Sequence, residues 1–202
     1  MARLNLGIPA DRYPAKMLDR FVNKRLIIVG GARCVWDDMA LVGVRGGADN
    51  NGYDVMCVND IVIHYPGRVL HFYSNDHRWM GKWIDARREL HTRKYGSISF
   101  THSCGAGGQH TWPWPGHGSS ALGAVYTGLA MGYSQIVLCG IPLDDSGHYF
   151  DPPWVTTNFK REVGKMGSGN MMYWQSARDK VFENRVKSCS GRTRELLGAP
   201  NG

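Results

Sequence analysis

The chain has no run of about 18 apolar residues, so nothing in it is expected to span a bilayer. Its first residues, Met1 to Pro14, mix Arg, Asn, Pro and Asp and lack the apolar stretch of a signal peptide. There is no CxxC pair, and the five cysteines are widely spaced and odd in number. A disulfide framework is therefore not expected, and a reducing, cytoplasmic compartment fits best. The dinucleotide fingerprint GxGxxG and the phosphate loop GxxxxGK[ST] are both missing, which removes the ordinary dinucleotide and P-loop readings. No internal repeat or low-complexity linker breaks the chain.

What is present is the composition of a globular protein: 202 residues, 43% hydrophobic and 11% aromatic. That length suits one α/β domain with a full core. The formal net charge of +7 points to an anionic partner, a nucleotide or a nucleic acid, or to nothing more than a basic surface. Basic residues cluster from Asp85 to Lys94 and from Lys180 to Arg194, but neither cluster interleaves aromatics as a single-strand platform would.

Short apolar runs alternate with helical patterns. "RLIIVG" (Arg25 to Gly30), "VMCVND", "RVLHFYS", "SISFTH" and Gln135 to Gly140 read as strands, with "RVKSCS" as a further one. Helices are expected at "WDDMALVG", His77 to Leu90, Ser119 to Met131, Asn170 to Phe182 and "GRTRELLG". In the second of these, Trp79, Trp83, Ile84 and Leu90 are expected to face the sheet. Strand and helix in alternation predict a single Rossmann-like domain, its mostly parallel sheet of five or more strands covered by helices on both faces. The strands holding "LIIVG", "VMCVN" and "IVLCG" should be central. Residues 1–24 form an N-terminal arm, and residues 143–169 a long loop or partial lid.

In a parallel sheet ligands sit beyond the carboxyl ends of the strands. Those ends carry Gly30 and Gly31, Asn59, and the helix start at Ser119 and Ser120. The glycines let backbone approach a ligand, and the serines cap a helix whose N–H groups attract an anion. Taken alone, a Gly-Gly turn is often just a turn and Ser-Ser often just a cap; their shared edge is what suggests a site. His148, beside Asp144 and Asp145, has the makings of a general base oriented by a carboxylate, or of an ordinary loop histidine. Trp112 and Trp114 either stack on a base or sugar or close the edge of the sheet. His102, Cys104, His110 and His117 are zinc-type ligands, but spacings of two, six and seven fit no standard finger, so no metal is expected.

The stretch "SSALGAVYTGLAMGYSQIVLCGIPLD" resembles the helix–strand unit of the family 42 sialyltransferases, and of the related motility-associated glycosyltransferase-like and pterin diphosphokinase-like proteins. In that group the first strand ends in Gly-Asn-Gly-Pro-Ser, where this chain has Gly30, Gly31, Ala32, Arg33 and Cys34. The resemblance places Asn59 at the nucleotide, maps the Thr-Ser-Gly before the long helix onto Ser119, Ser120 and Ala121, and makes His148 the counterpart of a catalytic histidine. "VNDIVIHYPGRVLHFYS" and "FENRVKSCSGRTRELLG" resemble small phage or prophage proteins.

Three readings follow. The first is a nucleotide-binding, glycosyltransferase-like enzyme using a nucleotide or nucleotide-sugar donor, with His148, Asp144 and Asp145 catalytic and Gly30, Gly31, Asn59, Ser119 and Ser120 binding. The second is a phage structural or assembly protein that keeps the fold without catalysis, found in host cytoplasm or virion and partnered by copies of itself or other phage proteins. The third, a nucleic-acid-binding protein, rests on charge.

Overall fold

Alternate residues of "RLIIV" face opposite ways, and both sets are apolar, which only a strand covered on two sides can satisfy. A computed structural model describes residues 8–44, 50–91, 97–114, 119–144, 147–151 and 171–200. Among them seven strands form one sheet, every pairing parallel: β1 Arg25–Val29, β2 Tyr53–Val58, β3 Val69–Ser74, β4 Ile98–Ser103, β5 His110–Thr111, β6 Gln135–Cys139 and β7 Val186–Ser188. The order across the sheet is β5-β4-β3-β2-β1-β6-β7. The first, second and fifth expected strands, now β1, β2 and β6, lie together inside it, with Arg25 opposite both Tyr53 and Gln135. The two-residue edge strand β5 lies in a segment that reads as a loop from sequence, because two residues carry no periodicity.

Helices cover both faces. Helix α1 (Val35–Leu41), α2 (Ile61–His64) and α3 (His77–Leu90) pack against Ile27, Val29, Val55, Cys57 and Phe72. Helix α4 (Ser120–Ala130) and α5 (171–177, continued as a wider turn through Arg178–Phe182) pack on Leu26, Ile28, Met56 and Tyr73. Helix α6 (Gly191–Leu197) closes the chain. Within the expected N-terminal arm, Met17 and Phe21 are buried in the second of these cores. There the N–H groups of Asp19 and Phe21 donate to the carbonyls of Ala130 and Met131, satisfying the end of α4.

The buried face of α3 differs from the expected one. Met80 and Arg87 are fully buried and Trp83 and Ile84 pack beside them, whereas Trp79 and Leu90 are 51% and 61% exposed. The true stripe is 80, 83, 84 and 87, the i, i+3, i+4, i+7 face, and its last position is an arginine that hydropathy discounts. Arg87 donates to the carbonyls of Val62 (2.6 Å), Tyr65 (2.8 Å) and Gly67 (2.7 Å), capping α2 and the turn after it. Trp79 instead lies under the Lys82 ammonium, 4.3 Å from its ring centroid.

Trp112 and Trp114 close the sheet edge. Both are buried, their rings stacked 5.4 Å apart, and Trp114 Nε1 donates to Thr127 Oγ1 at 2.7 Å. Trp112 Nε1 donates to His102 Nδ1 (3.1 Å), and that bond starts a buried chain whose polarity is fixed throughout. An indole N–H only donates, so His102 carries its proton on Nε2 and passes it to His71 Nδ1 (3.0 Å). His71 Nε2 then donates to Tyr133 Oη (2.9 Å), which donates to Asp54 Oδ2 (2.8 Å). Both ring nitrogens of His102 are thereby engaged, which removes it from the zinc-type set; His117 lies outside the described residues.

Burial of Arg87 in a role only a guanidinium fills predicts a sharp contrast with its neighbour. Arg87→Met should cost about 3 kcal/mol or more in urea unfolding, because buried carbonyls lose their donors. Arg88→Met, at an exposed ion pair with Asp85, should change stability by no more than about 0.5 kcal/mol.

The histidine chain predicts a pH dependence. Burial, then the neighbouring charges of His110, Arg20 and Lys24, lowers the His71 pKa to about 3; burial also holds that of His102 well below the usual range. Above about pH 6.5 these rings are neutral folded or unfolded, so their contribution is constant. Below it the unfolded chain takes up protons that the folded chain refuses, and stability falls towards pH 3 by up to about 1.4 kcal/mol per unit per ring. Urea unfolding at pH 7.5 and pH 5 should differ by about 2–4 kcal/mol; an unchanged midpoint would mean the rings are charged in the fold.

Candidate functional site

The connection reverses direction at β1: the chain moves from β1 to β2 on one side and returns to β6 on the other. A crevice opens at such a point, at the carboxyl ends of the two strands. Here the backbones are unusually close. Gly30 N–H donates to Cys139 O (2.8 Å) and Ala32 N–H to Gly140 O (3.1 Å). A Cβ on Gly30 would fall 2.5 Å from Gly140 O, so the first glycine is required by packing. Gly140, at φ +67°, is required by conformation as well. From α1 the buried Asp38 accepts the Gly140 N–H at 2.8 Å, tying the helix to the end of β6.

Gly31 has a different reason to be small. The chain returns over it in the one antiparallel bridge recorded among the described residues, Ala32 with His148. Tyr149 N–H donates to Gly31 O (3.0 Å) and Arg33 N–H to Gly147 O (3.2 Å). A Cβ on Gly31 would meet His148 Cδ2 at 3.1 Å, with Asp60 Oδ1 at 3.8 Å. His148 is thus held over the first turn. Its ring stacks on Phe150 (5.1 Å, 9°), which in turn stacks on His64 of α2 (5.6 Å, 26°). Tyr149 packs edge-on against Trp36 of α1 at 5.3 Å.

The carboxylate at the His148 ring is Asp151, with Oδ2 3.5 Å from Nδ1; the same oxygen accepts the His148 backbone N–H at 2.9 Å. The His148 side chain is 42% exposed and that of Asp151 only 19%. Sequence reasoning favoured Asp144 and Asp145. Asp144 is exposed and acts on Cys34, and Asp145 lies outside the described residues. The H-x-x-D spacing from His148 to Asp151 was the available signal.

Asn59 and the two serines are joined through the ends of β2 and β3. Asn59 sits at φ +59°, a conformation asparagine tolerates, and its Oδ1 accepts the Ser74 hydroxyl at 2.7 Å. Its Nδ2 has no hydrogen bond among the described residues. Ser120 Oγ accepts the Asn75 N–H at 3.1 Å, fastening the start of α4 to the end of β3. Ser119 caps α4, its hydroxyl accepting from Leu122 N–H at 3.4 Å. The N–H groups of Ser120 and Ala121 open the helix and have no partner inside it. Gly30, Gly31, Asn59, Ser119 and Ser120 therefore all belong to the carboxyl edge of the sheet.

Cys34 lies half-buried at the end of the first turn. Burial pushes its thiol up to about 11. Ser190 Oγ donates its hydrogen to Asp38 (2.7 Å), so the 3.2 Å contact with Cys34 has the thiol as donor. Among the described residues no group of three or more His, Cys, Asp or Glu is placed to hold a metal, and no helix is long and apolar enough to cross a membrane.

No family model matches the chain, and no curated protein matches it. Solved structures do. The sialyltransferase CstII from Campylobacter jejuni with the substrate analogue CMP-3FNeuAc superimposes with a TM-score of 0.56 at 13% identity, over 88% of this chain and 87% of that one. The sialyltransferase CST-II with a trisaccharide acceptor and CMP gives 0.59 at 13% identity, again over 88% and 87%. CstII with cytidine-5'-monophosphate gives 0.58 at 11% identity, over 89% and 86%. The fold resembles that of the sialyltransferase CstII.

Proposed function

We propose that the protein is a nucleotide-binding transferase that moves a glycosyl group from a nucleotide sugar to a hydroxyl acceptor. The observation that carries this reading is the bridge between Ala32 and His148, which sets an imidazole with its own carboxylate over the β1–β6 crevice. In this reading the opening N–H groups of α4 and the Ser119 hydroxyl receive the phosphate. Asn59 Nδ2 donates to the nucleotide, and Gly30 and Gly31 let it approach the backbone. The first turn lacks the Asn and Ser of the family it resembles, so these contacts rest more heavily on Asn59 and α4.

Asp151 holds His148 by Nδ1 and leaves Nε2 to accept the proton of the acceptor hydroxyl. The acceptor oxygen then bonds to the anomeric carbon, while the bond from that carbon to the phosphate oxygen breaks. The leaving nucleotide keeps the electron pair. Every step needs only groups placed at this edge and the bound donor. The CMP bound in the structural neighbours makes CMP-sialic acid the first donor to try.

The test has two readouts. CMP and other nucleoside monophosphates are screened for a rise in melting temperature, and CMP release from CMP-sialic acid is followed with oligosaccharide acceptors. His148→Ala should lower turnover about a hundredfold, the scale of a lost general base, while leaving the nucleotide's thermal shift intact. Asn59→Ala should weaken that shift. If no nucleotide raises the melting temperature, the fold is a scaffold without this chemistry.

A further inference from the structure

The opposite, amino-terminal edge of the sheet contains an open cavity of about 580 Å³. Arg20, Lys24, Asp54, Arg68, Phe21 and Phe100 line it. The volume is that of an ordinary small-molecule site. Its charge is unbalanced: of the three cations only Lys24 has a carboxylate partner among the described residues, Asp54 at 3.8 Å. Asp54 is also where the buried donor chain ends. Tyr133 Oη donates to its Oδ2, fixing the side chain, while Oδ1 has no hydrogen bond among the described residues.

The aromatic walls already have neighbours on them. Phe21 is stacked on Tyr133 (5.2 Å, 6°) and has Lys24 Nζ 5.5 Å from its centroid. Phe100 lies against His71 (5.4 Å, 25°) and beneath the Arg20 guanidinium at 4.7 Å. A flat base would have to displace a cation to stack. What remains is a pocket with two guanidinium groups and an ammonium for an anion, and one anchored carboxylate for a donor.

We propose that this cavity binds a small hydroxylated phosphate, about the size of a hexose phosphate. Arg20, Lys24 and Arg68 hold the phosphate, and Asp54 Oδ1 accepts a hydroxyl. A planar guanidinium pairs with phosphate oxygens through two parallel N–H bonds. The site is separate from the crevice at His148 and does not depend on the transferase reading.

Isothermal titration of the full chain with glucose 6-phosphate, inorganic phosphate and glucose tests it. Glucose 6-phosphate should bind saturably, more tightly than inorganic phosphate, and glucose should not bind. Arg68→Glu, at an exposed position, should weaken glucose 6-phosphate at least tenfold, and added salt should weaken it further. Asp54→Asn should weaken glucose 6-phosphate relative to inorganic phosphate, whose binding should be no weaker because a negative charge beside Lys24 is removed. Circular dichroism checks that variant, which touches the buried chain; should it fail to fold, Arg68→Glu alone decides. His148→Ala should bind glucose 6-phosphate as the wild type does. No binding at millimolar concentration, equal affinity for inorganic phosphate, or full affinity in Arg68→Glu would overturn the proposal.

Discussion

The contact on which the site depends is the backbone meeting of Gly30 and Gly140. Two adjacent parallel strands normally part at their carboxyl ends, where each chain turns away to its own helix. Here the turns stay bonded to each other past the ends of β1 and β6, and only hydrogen side chains leave room for it. Asp38 then reaches across from α1 to the Gly140 N–H, and Ser190 reaches Asp38 from the start of α6. Three loops are thereby fixed around one crevice. A side chain at either glycine would push apart the floor on which His148 rests.

Much of this frame could be read from the sequence, because it rests on periodicity. Runs such as "LIIV" and "IVLC" are apolar at every position, and only a doubly covered parallel strand uses such a run. The serines before α4 and the glycines after β1 were legible for a related reason: their chemistry is local, set by a cap or a turn. What escaped was non-local. Arg87 reads as a surface charge until the carbonyls of α2 are brought to it by the packing of α3. Asp151 gains its meaning only when the chain folds back over Gly31. His71 and His102, thirty-one residues apart, meet because β3 and β4 are neighbours.

The two edges of the sheet are built from different materials. At the carboxyl edge the polar groups are backbone amides, hydroxyls, Asn59, His148 and the carboxylates of Asp38 and Asp151, arranged at helix and strand ends. At the amino edge they are the charged side chains of Arg20, Lys24, Asp54 and Arg68, beside the rings of Phe21 and Phe100. Fixed dipoles of the first kind orient a charge placed near them; net charge of the second kind attracts one from further away.

The antiparallel bridge at Ala32 has one more consequence. It ties His148 to the β1 turn by backbone bonds, and the Asp151 carboxylate closes a second tie three residues later. Both tethers lie before residue 152, so the imidazole has its position before the following segment begins. Because the bridge is made by backbone groups, it depends less on side-chain identity than the Asp151 contact does.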